Sequence, residues 1–114
     1  SAKTIASGIR VPVALGDFLV LRALRESDGY AISAPDEEIV SAQKEVSNRD
    51  GFLMGPEGAA TFAALRRAVF EGRVGNNDQV VLFNCGTALK YEMPEVKNFI
   101  DLTKSINYAE FLSS

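Results

Sequence analysis

Apolar residues recur at helical spacing in three stretches of the chain. After Gly16-Asp17, the run Phe18, Leu19, Val20, Leu21 and Leu24 predicts a helix over about residues 18–27. Asp17 is placed to accept amide hydrogens of the first turn, and Gly29 suits a left-handed stop. Tyr30 to Ala34 is a short β-prone run closed by Pro35, and Asp36 opens a second helix that presents Ile39, Val40, Gln43 and Val46. Polar Ser47 to Gly51 reads as a turn, and Phe52-Leu53-Met54 as a short apolar bridge. Gly55-Pro56-Glu57-Gly58 predicts a third helix start with Pro56 near the first position. That helix has a small-residue face (Ala59, Ala60, Ala63, Ala64, Ala68), carries Phe62, Leu65 and Val69 on one side, and ends at Gly72. The small face suits close packing on a sheet.

Gly75-Asn76-Asn77-Asp78 is a concentrated turn signal. The continuous run Gln79 to Asn84 that follows suits a strand covered on both faces. It empties into Cys85-Gly86-Thr87-Ala88, a small-residue loop at the carboxyl end of a strand, where α/β sheets place their ligands. The opening segment, Thr4 to Leu15, has no sustained period and is expected to be an irregular lead-in that arrives extended. Pro94 to Leu102 suits a short helix, and a tail follows with apolar points at Ile106, Tyr108, Phe111 and Leu112. Helices between two strands imply α/β architecture with parallel pairing and right-handed crossovers. Two strands leave both edges unpaired, so further strands are expected from sequence outside this chain or from a second copy of it.

Composition narrows the chemistry. The chain has 114 residues, 46% of them hydrophobic and 24% charged, which argues for one water-soluble domain or a piece of one. The net charge of -3 is mild and the basic residues are scattered, so no nucleic-acid footprint is present. No apolar stretch approaches the ~20 residues that span a bilayer, and the start does not resemble a secretion signal, so a cytoplasmic location is expected. Histidine is absent, which removes the usual neutral-pH base, the commonest metal ligand and every Ser-His or Cys-His arrangement. Cys85 is the sole cysteine, which excludes an internal disulfide.

Three separated blocks, Gly16 to Ser27, Gly55 to Ala60 and Leu82 to Tyr91, together resemble the C-terminal portion of the threonine synthase family. The likeness runs in order from about Thr4 to Tyr91. It implies a partial parallel-sheet, three-layer segment of the large domain of a fold type II pyridoxal-phosphate enzyme over 1–91, with a helical tail over 92–114. The family converts O-phosphohomoserine and water into threonine and phosphate, a carbon-oxygen lyase chemistry of amino-acid biosynthesis with the cofactor as electron sink. The resemblance implies that Cys85, Gly86 and Thr87 pass the cofactor's pyridine nitrogen, with Cys85 where the family usually has a threonine or serine hydroxyl. A thiol is the weaker hydrogen-bond partner. Ala88 stands where the family more often has glycine.

The family places its cofactor lysine and its glycine-rich phosphate cradle upstream of anything matched here. Lys3, Lys44, Lys90, Lys97 and Lys104 do not fit the cofactor-lysine motif, and no glycine run can wrap a phosphate. This stretch is therefore expected to be catalytically incomplete alone and to need the missing N-terminal part or a second copy, as a homo-oligomer. The rival reading is a short non-catalytic module that keeps the fold remnant and self-associates or binds a ligand. For Cys85 a cofactor-side place competes with a small buried residue at a strand end. For Glu57 a site carboxylate competes with the simpler benefit of an acid in a helix's first turn. Lys90 and Tyr91 could reach a ligand, but solvent is favoured, and Arg66-Arg67 reads as the wet side of the third helix.

Overall fold

The computed structural model describes residues 3–92 and 100–109. Three helices carry the described chain: α1 (Asp17–Glu26), α2 (Asp36–Asp50) and α3 (Pro56–Phe70), with short 3-10 turns at Ser7–Ile9 and Ala88–Lys90. Pro56 sits in the first turn of α3, where its missing N–H costs nothing. The end of α1 departs from expectation, because the left-handed residue is Asp28 (φ 53°) rather than Gly29. An aspartate tolerates that conformation better than most residues. Ser47 to Asp50, expected as a turn, continue α2 by one more turn, and the chain reverses at Gly51 (φ 65°).

The core lies between α2 and α3. Ile39, Ala42 and Val46 face Ala59, Ala63 and Met54, with Ala34, Ala60 and Phe62 packed around them. Alanines dominate, so the two helices approach closely but remove little apolar area from water. Val40, expected at this face, is exposed, whereas Gln43 reaches across to donate to the Met54 carbonyl at 3.0 Å. Arg66 pairs with Glu45 and Arg67 with Glu38, both at 3.1 Å, so these arginines bridge α3 to α2 rather than only facing water. The small face of α3 thus packs on a helix, not on a sheet.

The expected parallel sheet is absent among the described residues, whose only β pairing is an isolated antiparallel bridge, Met54 to Thr87. Tyr30–Ala34 and Gln79–Asn84 nevertheless keep strand character. Along 81–86 and along 31–36, exposed and half-buried residues alternate one by one, the period of extended backbone. Neither segment has a neighbouring strand among the described residues, and a strand needs a partner to satisfy its amides and carbonyls. What holds Tyr30–Ala34 instead is α3 and its exit: Arg67 donates to the Ser33 carbonyl at 2.8 Å, and Arg73 stacks 4.5 Å from the Tyr30 ring centroid.

Much apolar surface stays wet. α1 buries no residue, and Leu15, Val81 and Phe83 are 96%, 92% and 80% exposed. The chain exposes 9379 Å², against roughly 6100 Å² for a self-contained globule of this mass.

The lead-in is strapped across the starts of two helices. Thr4 Oγ1 donates to Asp36 at 2.6 Å, the Ile5 amide donates to the same carboxylate at 3.2 Å, and Ala6 is fully buried. The turn Gly75 to Asp78 is as expected, closed by Asp78 N–H on the Gly75 carbonyl at 3.1 Å. The helix expected from Pro94 falls mainly on residues 93–99, and Phe111 and Leu112 on the terminal stretch, all outside the described residues.

At Gly58 the missing side chain matters sterically, since a methyl group there would collide with Asn84 Oδ1 and lie 2.9 Å from Met54 Cγ. Gly58→Ala is expected to destabilise the full-length protein by about 1–3 kcal/mol, the range for overpacking. Urea denaturation measures this, and a variant as stable as its parent would disprove the close approach.

Candidate functional site

The site grows from the start of α3. Gly55, extended just before the helix, donates its amide to the Gly86 carbonyl at 3.1 Å. One residue pair further on, the Ala88 amide donates to the Leu53 carbonyl at 3.0 Å. These two bonds pin the loop at Gly86 and at Ala88, its second and last residues. The approach is tight at Gly55, where a side chain would stand 3.1 Å from the Gly86 carbonyl oxygen.

Cys85 is exposed, which overturns the reading of a small buried residue at a strand end. The space beside the Gly86 Cα is open. Thr87 forms the bridge to Met54, and its hydroxyl caps the 3-10 turn by accepting from the Leu89 amide at 3.3 Å. Ala88 is buried and extends no left-handed strain, because positive φ among non-glycine residues is confined to Asp28 among the described residues. Asn84 Oδ1 is buried without a hydrogen-bond partner, held over Gly58.

Glu57 is more than a first-turn acid. Its Oε1 accepts from the Gly8 amide at 2.6 Å and from the Tyr91 hydroxyl at 2.6 Å. Tyr91 is thereby turned back onto the protein, whereas Lys90 is exposed as expected. Sequence reasoning missed this junction, since its three members lie 34 to 49 positions apart or more and form no motif.

Burial pushes the Glu57 carboxyl up. The Tyr91 hydroxyl, the Gly8 amide, its own amide and the Lys90 charge together outweigh that and hold it below the usual 4.5. The same bond to Glu57 raises the Tyr91 hydroxyl above its ordinary 10.0, with a Ser7 hydrogen bond acting the other way.

A separate open groove of about 640 Å³ lies along α2 and α3, lined by residues such as Glu37, Ser41, Arg66 and Phe70. It shares no residue with the loop, and its arginines are committed to Glu45, Glu38 and Ser33. No helix among the described residues is long and apolar enough to cross a membrane.

Residues 1–86 match the family described as pyridoxal-phosphate dependent enzyme. The chain belongs to that family. Within it, threonine synthase of Methanosarcina acetivorans is 39% identical over 88 residues, covering 77% of this chain and 22% of that protein. Threonine synthase of Methanocaldococcus jannaschii is 34% identical over the same shares, and that of Halalkalibacterium halodurans 30% identical over 77% of this chain and 25% of its own length. The chain therefore aligns with about a quarter of the length of these relatives. The family's cofactor is pyridoxal phosphate.

Because the Glu57 carboxyl titrates lower when folded, its contribution to stability is complete above the ordinary glutamate value and fades as pH falls through the folded one. Tyr91 behaves oppositely, contributing fully below 10.0 and losing its contribution as pH rises through its raised value. In a pH series of urea denaturations, Glu57→Gln should lose less stability than the parent on acidification below about pH 4.5. Parallel curves for the two proteins would show that Glu57 is not linked to folding.

Proposed function

We propose that this chain is the C-terminal segment of a threonine-synthase-like enzyme, comprising the end of its cofactor-binding large domain (1–91) and a tail (92–114). The observation that carries the reading is the 88-residue alignment with threonine synthases at 30–39% identity. The whole enzyme would convert O-phosphohomoserine and water into threonine and phosphate in the cytoplasm. Upstream chain supplies the cofactor lysine, the phosphate cradle and the strands that pair with Tyr30–Ala34 and Gln79–Asn84.

The local geometry suits a flat ring. Cys85 faces outward, open space stands beside Gly86, and backbone bonds to Leu53 and Gly55 hold the loop from behind. Cys85, Gly86 and Thr87 would flank the pyridine nitrogen of the cofactor, which when bound supplies an electron sink. The role of the chain's own residues is orientation. Cys85 offers a weak hydrogen bond to the ring, while the Gly86 and Thr87 backbone keeps side-chain bulk away from it.

A second reading is favoured by the wet apolar residues and unpaired extended segments: a short module that self-associates through them. Light scattering separates the two, because a monomer at high concentration removes the second reading.

The enzyme reading is tested by titrating pyridoxal phosphate into the full-length protein and following its visible absorption. Cys85→Ser, which restores the stronger hydrogen-bonding group, should bind the cofactor several-fold more tightly, and Cys85→Ala no more tightly than the parent. Equal affinity in all three proteins would remove Cys85 from the ring contact.

A further inference from the structure

Three segments distant in sequence meet at one carboxylate oxygen. Gly8, from the lead-in, and Tyr91, from just past the loop, both donate to Glu57 Oε1 at 2.6 Å. Gly8 leaves room for this contact, since a methyl there would stand 2.8 Å from the same oxygen and push the Glu57 carboxylate aside. Tyr91 follows directly on the 3-10 turn Ala88–Lys90 that ends the small-residue loop. Backbone bonds through Gly86 and Ala88 fix the loop against Gly55 and Leu53. The Tyr91 hydroxyl then fixes where the chain leaves it. Leu53, Gly55 and Glu57 lie within five consecutive residues, so a single short stretch of chain grips the loop at both its middle and its exit.

We propose that Glu57 and Tyr91 form a latch that sets the position of the Cys85–Gly86–Thr87 loop, and through it the cofactor ring, a role that rests on reading this loop as cofactor-side. Both are positioning residues. The latch stands apart from the interhelical core, in which Ile39, Ala42 and Val46 of α2 pack on Ala59 and Ala63. Its loss should therefore loosen the loop without loosening the helix pair. Both bonds at Glu57 are made to an ionised acceptor, so Glu57→Gln keeps a carbonyl oxygen to accept them but removes the charge that strengthens them.

Amide hydrogen exchange on the full-length protein tests this, using Tyr91→Phe, which keeps the ring and removes only the hydroxyl. Amides of residues 86–90 should exchange about tenfold faster while those of residues 39–46 keep the parent rate. Glu57→Gln should fall between Tyr91→Phe and the parent. Unchanged exchange in 86–90 would overturn the latch, and so would a parallel rise in both regions, which marks a loss of general stability. Pyridoxal phosphate titration of the same proteins separates the latch from the reading beneath it. Local loosening with several-fold weaker cofactor binding supports both, and local loosening with unaltered binding overturns the positioning role. Local loosening in a protein whose parent binds no cofactor keeps the latch and removes the cofactor reading.

Discussion

The start of α3 rests against the Cys85–Ala88 loop, and Gly55 stands where the two backbones meet. Gly55 gives its amide to the Gly86 carbonyl, and Asn84 occupies the place where a side chain on Gly58 would point. Without that amide the half-buried Gly86 would lose its backbone bond to the helix start, and small residues at 55 and 58 let the two segments come this near. Pro56 between them presets the backbone of the first turn, and Glu57 projects to the junction with Gly8 and Tyr91. Four consecutive residues thus combine helix initiation, close approach and a three-way tether.

Away from that contact the described chain packs sparsely. The alanine-rich core of α2 and α3 is small, with Ile39 the largest fully buried side chain among the described residues. Two extended segments pair with no strand among the described residues, and α1 offers Phe18, Val20 and Leu21 to water. Exposed apolar side chains and unpaired backbone call for the same remedy, a covering surface with strand edges of its own. The aligned region is 22% of these relatives' length, which leaves them ample chain to hold such a surface.

Much of this was legible in the sequence. Helix starts were marked by Asp17, Asp36 and Pro56, and the stop at Gly72 and the turn at Gly75–Asp78 by their glycines and asparagines. The ordered likeness of three blocks pointed to the family that residues 1–86 match. The sheet was not recoverable, because β-prone composition records that a strand is wanted but not whether its partners are present. The same blindness moved α3 from an expected sheet onto α2. Exposure at Cys85 and the Glu57 junction also escaped, since both follow from tertiary placement: the first from an unpaired segment, the second from residues that share no period. Asp28 in place of Gly29 reflects a smaller limit, as both residue types accept a left-handed conformation and their order in the sequence does not say which will take it.

Cys85 offers the decisive measurement, because an exposed thiol reports its own surroundings. Alkylation of Cys85 in the full-length protein, mapped by mass spectrometry with and without pyridoxal phosphate, asks whether the cofactor shields this loop. A loop beside the ring requires that the cofactor slow the reaction at Cys85. An unchanged rate with the cofactor demonstrably bound would place the ring elsewhere and remove Cys85, Gly86 and Thr87 from its site.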